Sequence, residues 1–210
     1  MLSVTLSAQE KFTEGKITMT QTFKTDNQQM KDILQQMMGD EGMQTISYVK
    51  GNKSRTDISN PMSGDIVTIS DMEAKQVLML MDSPMLGKKY SLTSISKEEE
   101  EKIKDNINII EGTKTKTILG YECKEHTVTI DQDGVKMDMI MYITDKIVPA
   151  VSQQTAMLGE KLKGFPMYME MKMNQQGMAM TIITEVTELN KETVSDDKFS
   201  MTPPDGYSKM

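Results

Sequence analysis

The sequence predicts an α+β protein in which an antiparallel sheet presents one apolar face to a covering helix. Three observations carry this. Phe165, Met167, Met169, Met171 and Met173 alternate with Pro166, Tyr168, Glu170 and Lys172, a period of two that belongs to a strand with one methionine-paved face. Short apolar stretches separated by turn residues recur along the chain, as in an antiparallel meander. Met30, Ile33, Leu34, Met37 and Met38 fall instead at helical spacing and stop at Gly39.

Taken in order, Gly15 to Phe23 alternates Ile17, Met19 and Phe23 against Lys16, Thr18 and Thr20, which predicts a first strand. Asp26 is placed to cap a helix over 26–38, whose apolar stripe is expected to cover the open face of the sheet. Strands follow at 45–50, 54–58, 66–70 and 76–81, punctuated by Gly51-Asn52, Asn60-Pro61 and Ser63-Gly64; Tyr90 and Leu92 make another. Ser96 with Glu99 reads as a capping box, so a second helix is expected over 96–106, its acidic run a solvated face. Residues 113–119 and 121–130 form a hairpin about Gly120. The Asp131 to Gly134 turn then leads into Val135, Met137, Met139, Met141 and Ile143. Pro149 makes 147–156 a connection. The Asn174 to Gly177 turn leads to Met178, Met180, Ile182 and Val186, and the proline-rich 199–207 is expected to lie extended over the sheet.

Composition narrows the function. A chain of 210 residues with no internal change of composition reads as one domain over 9–210. Its formal charge of −7, single arginine and lack of tryptophan exclude a nucleic-acid partner, which would need a basic face or a stacking platform. Leu2, Val4, Leu6 and Ala8 among small residues resemble the end of a signal peptide, so residues 1–8 read as its remnant and the protein as exported, in the periplasm or outer envelope. No stretch has the ~20 apolar residues of a membrane span, leaving peripheral attachment as the closest association with a bilayer.

Chemistry-bearing residues are few, and no enzyme is expected. His126 is the sole histidine and Cys123 the sole cysteine; alternation points them to opposite faces, and no second pair completes a zinc site. The reading is a core cysteine and an exposed histidine. Asp131, Asp133 and Gly134 open like a calcium loop, but Lys136 and Met137 stand where ligands belong, so this is a hairpin turn. No cofactor and no resident metal are expected. Soft thioether sulfur does suit copper(I), and Met-x-Met runs leave copper binding as an alternative, beside a closed methionine-filled core in a structural protein. The preferred reading is non-enzymatic binding of a hydrophobic ligand, a lipid or acylated peptide, because methionine repacks around varied shapes. The residues expected to line it are Met137, Met139, Met141, Met167, Met169, Met171, Met178 and Met180 on the sheet, with Ile33 and Met37 on the helix.

Gly120-Tyr121-x-Cys123, Tyr142-x-Thr144-Asp145, Gly164-Phe165-Pro166 and the closing Phe199, Pro203, Gly206 and Tyr207, in this order of elements, resemble an uncharacterised family of Gram-negative envelope proteins. That family is similar to the lipoprotein-localisation factor (LolA/LolB-like) fold, and the resemblance spans Thr13 to Tyr207. It implies a strongly curved antiparallel sheet, a half-open barrel, with helices packed on the concave face around a cavity for acyl chains. The carriers' functional arginine has no counterpart that can be placed, since Arg55 is the only arginine. The resemblance therefore implies a lipid or lipoprotein acyl chain as partner without implying lipoprotein transfer.

Overall fold

The computed structural model describes residues 11–39, 42–60, 64–94, 106–132, 135–147, 158, 164–175 and 178–210. Twelve strands run in chain order: β1 Glu14–Thr25, β2 Met43–Lys50, β3 Lys53–Asn60, β4 Gly64–Asp71, β5 Gln76–Ser83, β6 Gly87–Ser94, β7 Ile107–Ile118, β8 Tyr121–Gln132, β9 Val135–Thr144, β10 Phe165–Gln175, β11 Met178–Asn190 and β12 Ser208–Lys209. Helix α1 spans Gln28–Met38 between β1 and β2. All twelve strands join one open sheet in the order β12-β6-β5-β4-β3-β2-β1-β11-β10-β9-β8-β7. Two meanders, β2 to β6 and β7 to β11, are joined along β1, which pairs antiparallel with both β2 and β11.

This corrects the expected fold class. Among the described residues the molecule is almost wholly sheet, with one α-helix, and it is not a sheet with helices packed on a concave face. The reason is connectivity. Only two residues separate β1 from α1 and four separate α1 from β2, so the helix stays at the end of two adjacent strands. Asn27, rather than Asp26, caps it by accepting the Met30 N–H at 3.1 Å, and the Gly39 N–H closes it on the Gln35 carbonyl. All but the last residue of the expected helix at 96–106, the leader at 1–8 and most of the connection at 147–156 lie outside the described residues.

Pairing fixes which side chains share a face. Partners directly opposite across two strands point the same way. One rung therefore runs Leu189, Ile17, Ser47, Thr56, Thr68 and Met79 across β11, β1, β2, β3, β4 and β5. Another runs His126, Met141, Met169, Thr184 and Gln21 across β8, β9, β10, β11 and β1 on the same face. In β9 and β10 this face is methionine. In β2 to β4 it changes to small hydroxyl residues, and Ser47, Ser54, Thr56 and Ser70 are all buried. Their hydroxyls satisfy one another across strands, Ser47 with Thr56 at 2.9 Å and Ser54 with Ser70 at 2.7 Å.

The opposite face of β4 and β5 carries Ile69, Leu78 and Leu80, closed by Val194 and Phe199 from the segment after β11. A 3-10 turn at Asp196–Phe199 seats that segment, Lys198 lies 3.9 Å from the Tyr48 ring, and Lys50 holds the Val194 carbonyl at 3.0 Å and Asp196 at 2.8 Å. The chain then adds β12 to the edge of β6. The proline-rich end does lie over the sheet, as its sequence predicts.

Candidate functional site

The sheet brings most of the expected lining residues together. Met139 opposes Met171 and Met141 opposes Met169 across β9 and β10; Ile182 opposes Met171, and Met173 opposes Met180, across β10 and β11. Burial is graded along this face. Met141 is fully buried and Met139 and Met169 nearly so, whereas Met137, Met171 and Met180 are half-buried; Met167 is fully buried in a separate cluster with Cys123, Phe165 and Val186. Leu158 packs into the same cluster with Val128, Met139, Met141 and Met169. Met178 opens β11 and pairs with Gln175, and Met37 lies in the last turn of α1. Ile33 projects into solvent at 48% exposure.

At the half-buried end of this face a groove of about 330 Å³ opens between α1 and the end of β1. Phe23, Leu34, Lys31 and Gly42 line it. Phe23 continues the methionine face, since its partner is Ile182, and Thr25 beside it opposes Met180. Gly42 keeps the groove floor close to the sheet: a Cβ there meets the Gln21 carbonyl oxygen at 2.5 Å, and its φ of +77° is one that L side chains rarely adopt. A volume near 300 Å³ is at the lower end for small-molecule sites. The α1 stripe was legible in the sequence; its meeting with Phe23 was not, because it depends on the helix staying at the strand ends.

The remaining candidates sit in defined surroundings. Cys123 is buried, its thiol donates to the Tyr121 carbonyl at 3.4 Å, and burial pushes the thiol up to about 11, away from nucleophilic use. His126, expected to be exposed, is largely shielded, with its side chain 16% accessible. Its Nδ1–H donates to the Lys124 carbonyl at 3.0 Å and its Nε2 lies 3.8 Å from Glu111. The hydrogen bond and charge of Lys124 hold Glu111 below the usual carboxylate range. Among the described residues no group of three His, Cys, Asp or Glu side chains is placed to hold a metal ion.

A second cluster, missed by the sequence reading, lies on the opposite face of β8 to β11. The rung Glu125, Tyr142, Tyr168 and Glu185 crosses these four strands. Tyr142 donates to Glu125 at 3.1 Å and Tyr168 to Glu170 at 2.9 Å. Burial, then the hydrogen bond to Glu170, pushes the Tyr168 phenol up to about 12, and burial followed by Glu125 raises Tyr142. Alternation marks both tyrosines in the sequence as turned away from the methionines. The shift of pairing at Pro166/Tyr168 that aligns them with each other is not encoded in that pattern.

No protein-family model and no curated protein matches the chain. Solved structures do. Two crystal forms of PNGF-II each overlay 94% of this chain at a TM-score of 0.53, with 13% and 12% sequence identity. The chain spans only 31% of that protein's length, and at this identity the likeness is one of fold alone. The Mycobacterium tuberculosis lipoprotein LppX overlays 86% of this chain and 89% of its own at 10% identity, with a TM-score of 0.37, a similarity that carries no argument.

Proposed function

We propose that this chain is a non-enzymatic binding module for a slender apolar ligand, of the acyl-chain type, taken up at the α1 end of the methionine face. The observation that carries the reading is the groove itself, lined by Phe23 and Leu34, with Phe23 on the rung that runs through Ile182 to Met171. Met171, on the rung of Phe23, and Met180, opposite Thr25, are pliant half-buried side chains that repack at little cost, whereas Met139 and Met141 further along the face are buried. Lys31 at the rim supplies a cation for a carboxylate or phosphate head. Export to the cell envelope belongs to the same proposal and rests on the composition of Leu2 to Ala8.

The test is native mass spectrometry of protein purified without detergent, followed by titration with a fluorescent fatty acid. A heterogeneous adduct in the lipid mass range, lost in Leu34→Glu with an unchanged far-UV circular dichroism spectrum, supports the proposal. A bare polypeptide mass together with no saturable probe binding overturns it in favour of a closed core. A second reading has one specific observation behind it: His126 shares a rung with Met141 and Met169, a nitrogen and two thioether sulfurs of the kind copper(I) prefers. A stoichiometric copper adduct in the same spectrum would favour that reading.

A further inference from the structure

Lys116 on β7 does something that a flat sheet forbids. Its ammonium lies 3.6 Å from Glu185 on β11, although β8, β9 and β10 stand between the two strands. Four strand spacings amount to about 19 Å, beyond the joint reach of a lysine and a glutamate side chain. The tip of the β7–β8 hairpin therefore arches over the tyrosine face, past the shift of pairing at Glu111/Thr115. At the end of that arch the Lys116 ammonium sits 4.3 Å from the centre of the Tyr168 ring and 6.0 Å from that of Tyr142. The two rings meet edge to face, 5.9 Å apart at 72°.

The box is assembled by the strands themselves. Glu125, Tyr142, Tyr168 and Glu185 occupy one rung of four neighbouring strands, and each phenol is fixed by a carboxylate of its own face. Glu125 and Glu170 already have Lys114 at 3.3 Å and Lys172 at 3.4 Å. Glu185 is thus the carboxylate of the box whose recorded cation is Lys116. Two aromatic faces, partly desolvated, and the Glu185 carboxylate make a site for a single positive charge. Lys116 fills it from an edge strand while remaining 43% exposed, so its ammonium is held by the box rather than by burial.

We propose that the Tyr142–Tyr168–Glu185 box is a binding site for an alkylammonium group of a small molecule, with Lys116 as a built-in competitor that such a group displaces. The site lies on the face opposite the methionines and does not depend on the apolar-ligand reading. The probe is tetramethylammonium chloride, titrated against sodium chloride at matched ionic strength and followed by the ring resonances of ¹³C-labelled tyrosine. Lys116→Gln is expected to bind the probe about tenfold more tightly than the unmodified protein, because the internal cation is gone. Adding Tyr168→Leu to Lys116→Gln is expected to abolish binding. Equal affinity with and without Lys116, or binding that survives Tyr168→Leu, overturns the proposal. Should Lys116→Gln not fold, the unmodified protein decides: acylation of Lys116 by acetic anhydride, mapped by mass spectrometry, rises with tetramethylammonium if the site is real. Constant acylation overturns it.

Discussion

Replacing Met141 by alanine tests whether the methionine face is a wall or an opening. Met141 has no accessible surface, lies between His126 and Met169 on its rung, and packs with Val128, Leu158 and Met169. Truncation removes the transfer energy of three heavy atoms and leaves a void that close-packed neighbours fill poorly, for about 3 kcal/mol within the 2–5 usual for such sites. For a chain of this length that corresponds to about 6–12 °C in melting temperature. Met171, half-buried at the groove end opposite Met139 and Ile182, is expected to cost about 1 kcal/mol as alanine, since much of its surface already meets solvent. Urea denaturation followed by circular dichroism gives both numbers, provided the slope of the transition is unchanged. The reasoning is refuted if the two variants are equally destabilised, or if Met141→Ala costs less than about 1 kcal/mol.

Two further outcomes follow from backbone and thiol chemistry. Gly64→Ala is expected to destabilise by more than about 2 kcal/mol, because a Cβ there falls 2.0 Å from the Asp82 carbonyl oxygen at a φ of +91°; Gly51→Ala, with open space at a φ of +57°, is expected to cost about 1 kcal/mol in the same thermal melts. The Cys123 thiol ionises near its ordinary 9.0 when unfolded and at about 11 when folded, so the folded chain holds a proton that the unfolded chain releases between these values. Its contribution is intact below pH 9 and is lost as pH rises towards 11, so unmodified protein should lose stability over that window more steeply than Cys123→Ala, by about 2–3 kcal/mol in all.

How much of this was legible in the sequence depended on which residues carried the pattern. The methionines of β9 and β10 announced their face because apolar and polar residues alternate strictly there, and the pairing of Met139 with Met171 agrees with it. Ser54 and Thr56 alternate with Arg55 and Asp57, polar against polar, so nothing in β3 distinguishes inside from outside. Only the cross-strand partners Ser47 and Ser70 show that the hydroxyls are the buried set. The stripe of α1 was visible, yet a stripe states that a helix covers something without stating what. The short connections to β1 and β2 decided that, and left Ile33 in solvent. The box around Tyr168 was illegible for a different reason: its members come from β7, β8, β9, β10 and β11, and the arch of the β7–β8 tip arises from pairing shifts that have no sequence period.

The pairing of β1 with β11 carries a kinetic consequence. Every other antiparallel ladder in the sheet joins strands consecutive in the chain, whereas this one joins residues as far apart as Lys16 and Asn190. Closing a loop of that length costs about 4–5 kcal/mol of chain entropy before its first contact is rewarded. The two meanders can assemble from neighbouring hairpins, so the seam between them is the slow, late event of folding. Until it closes, β1 and β11 each present a long unpaired strand to any other chain in the same condition.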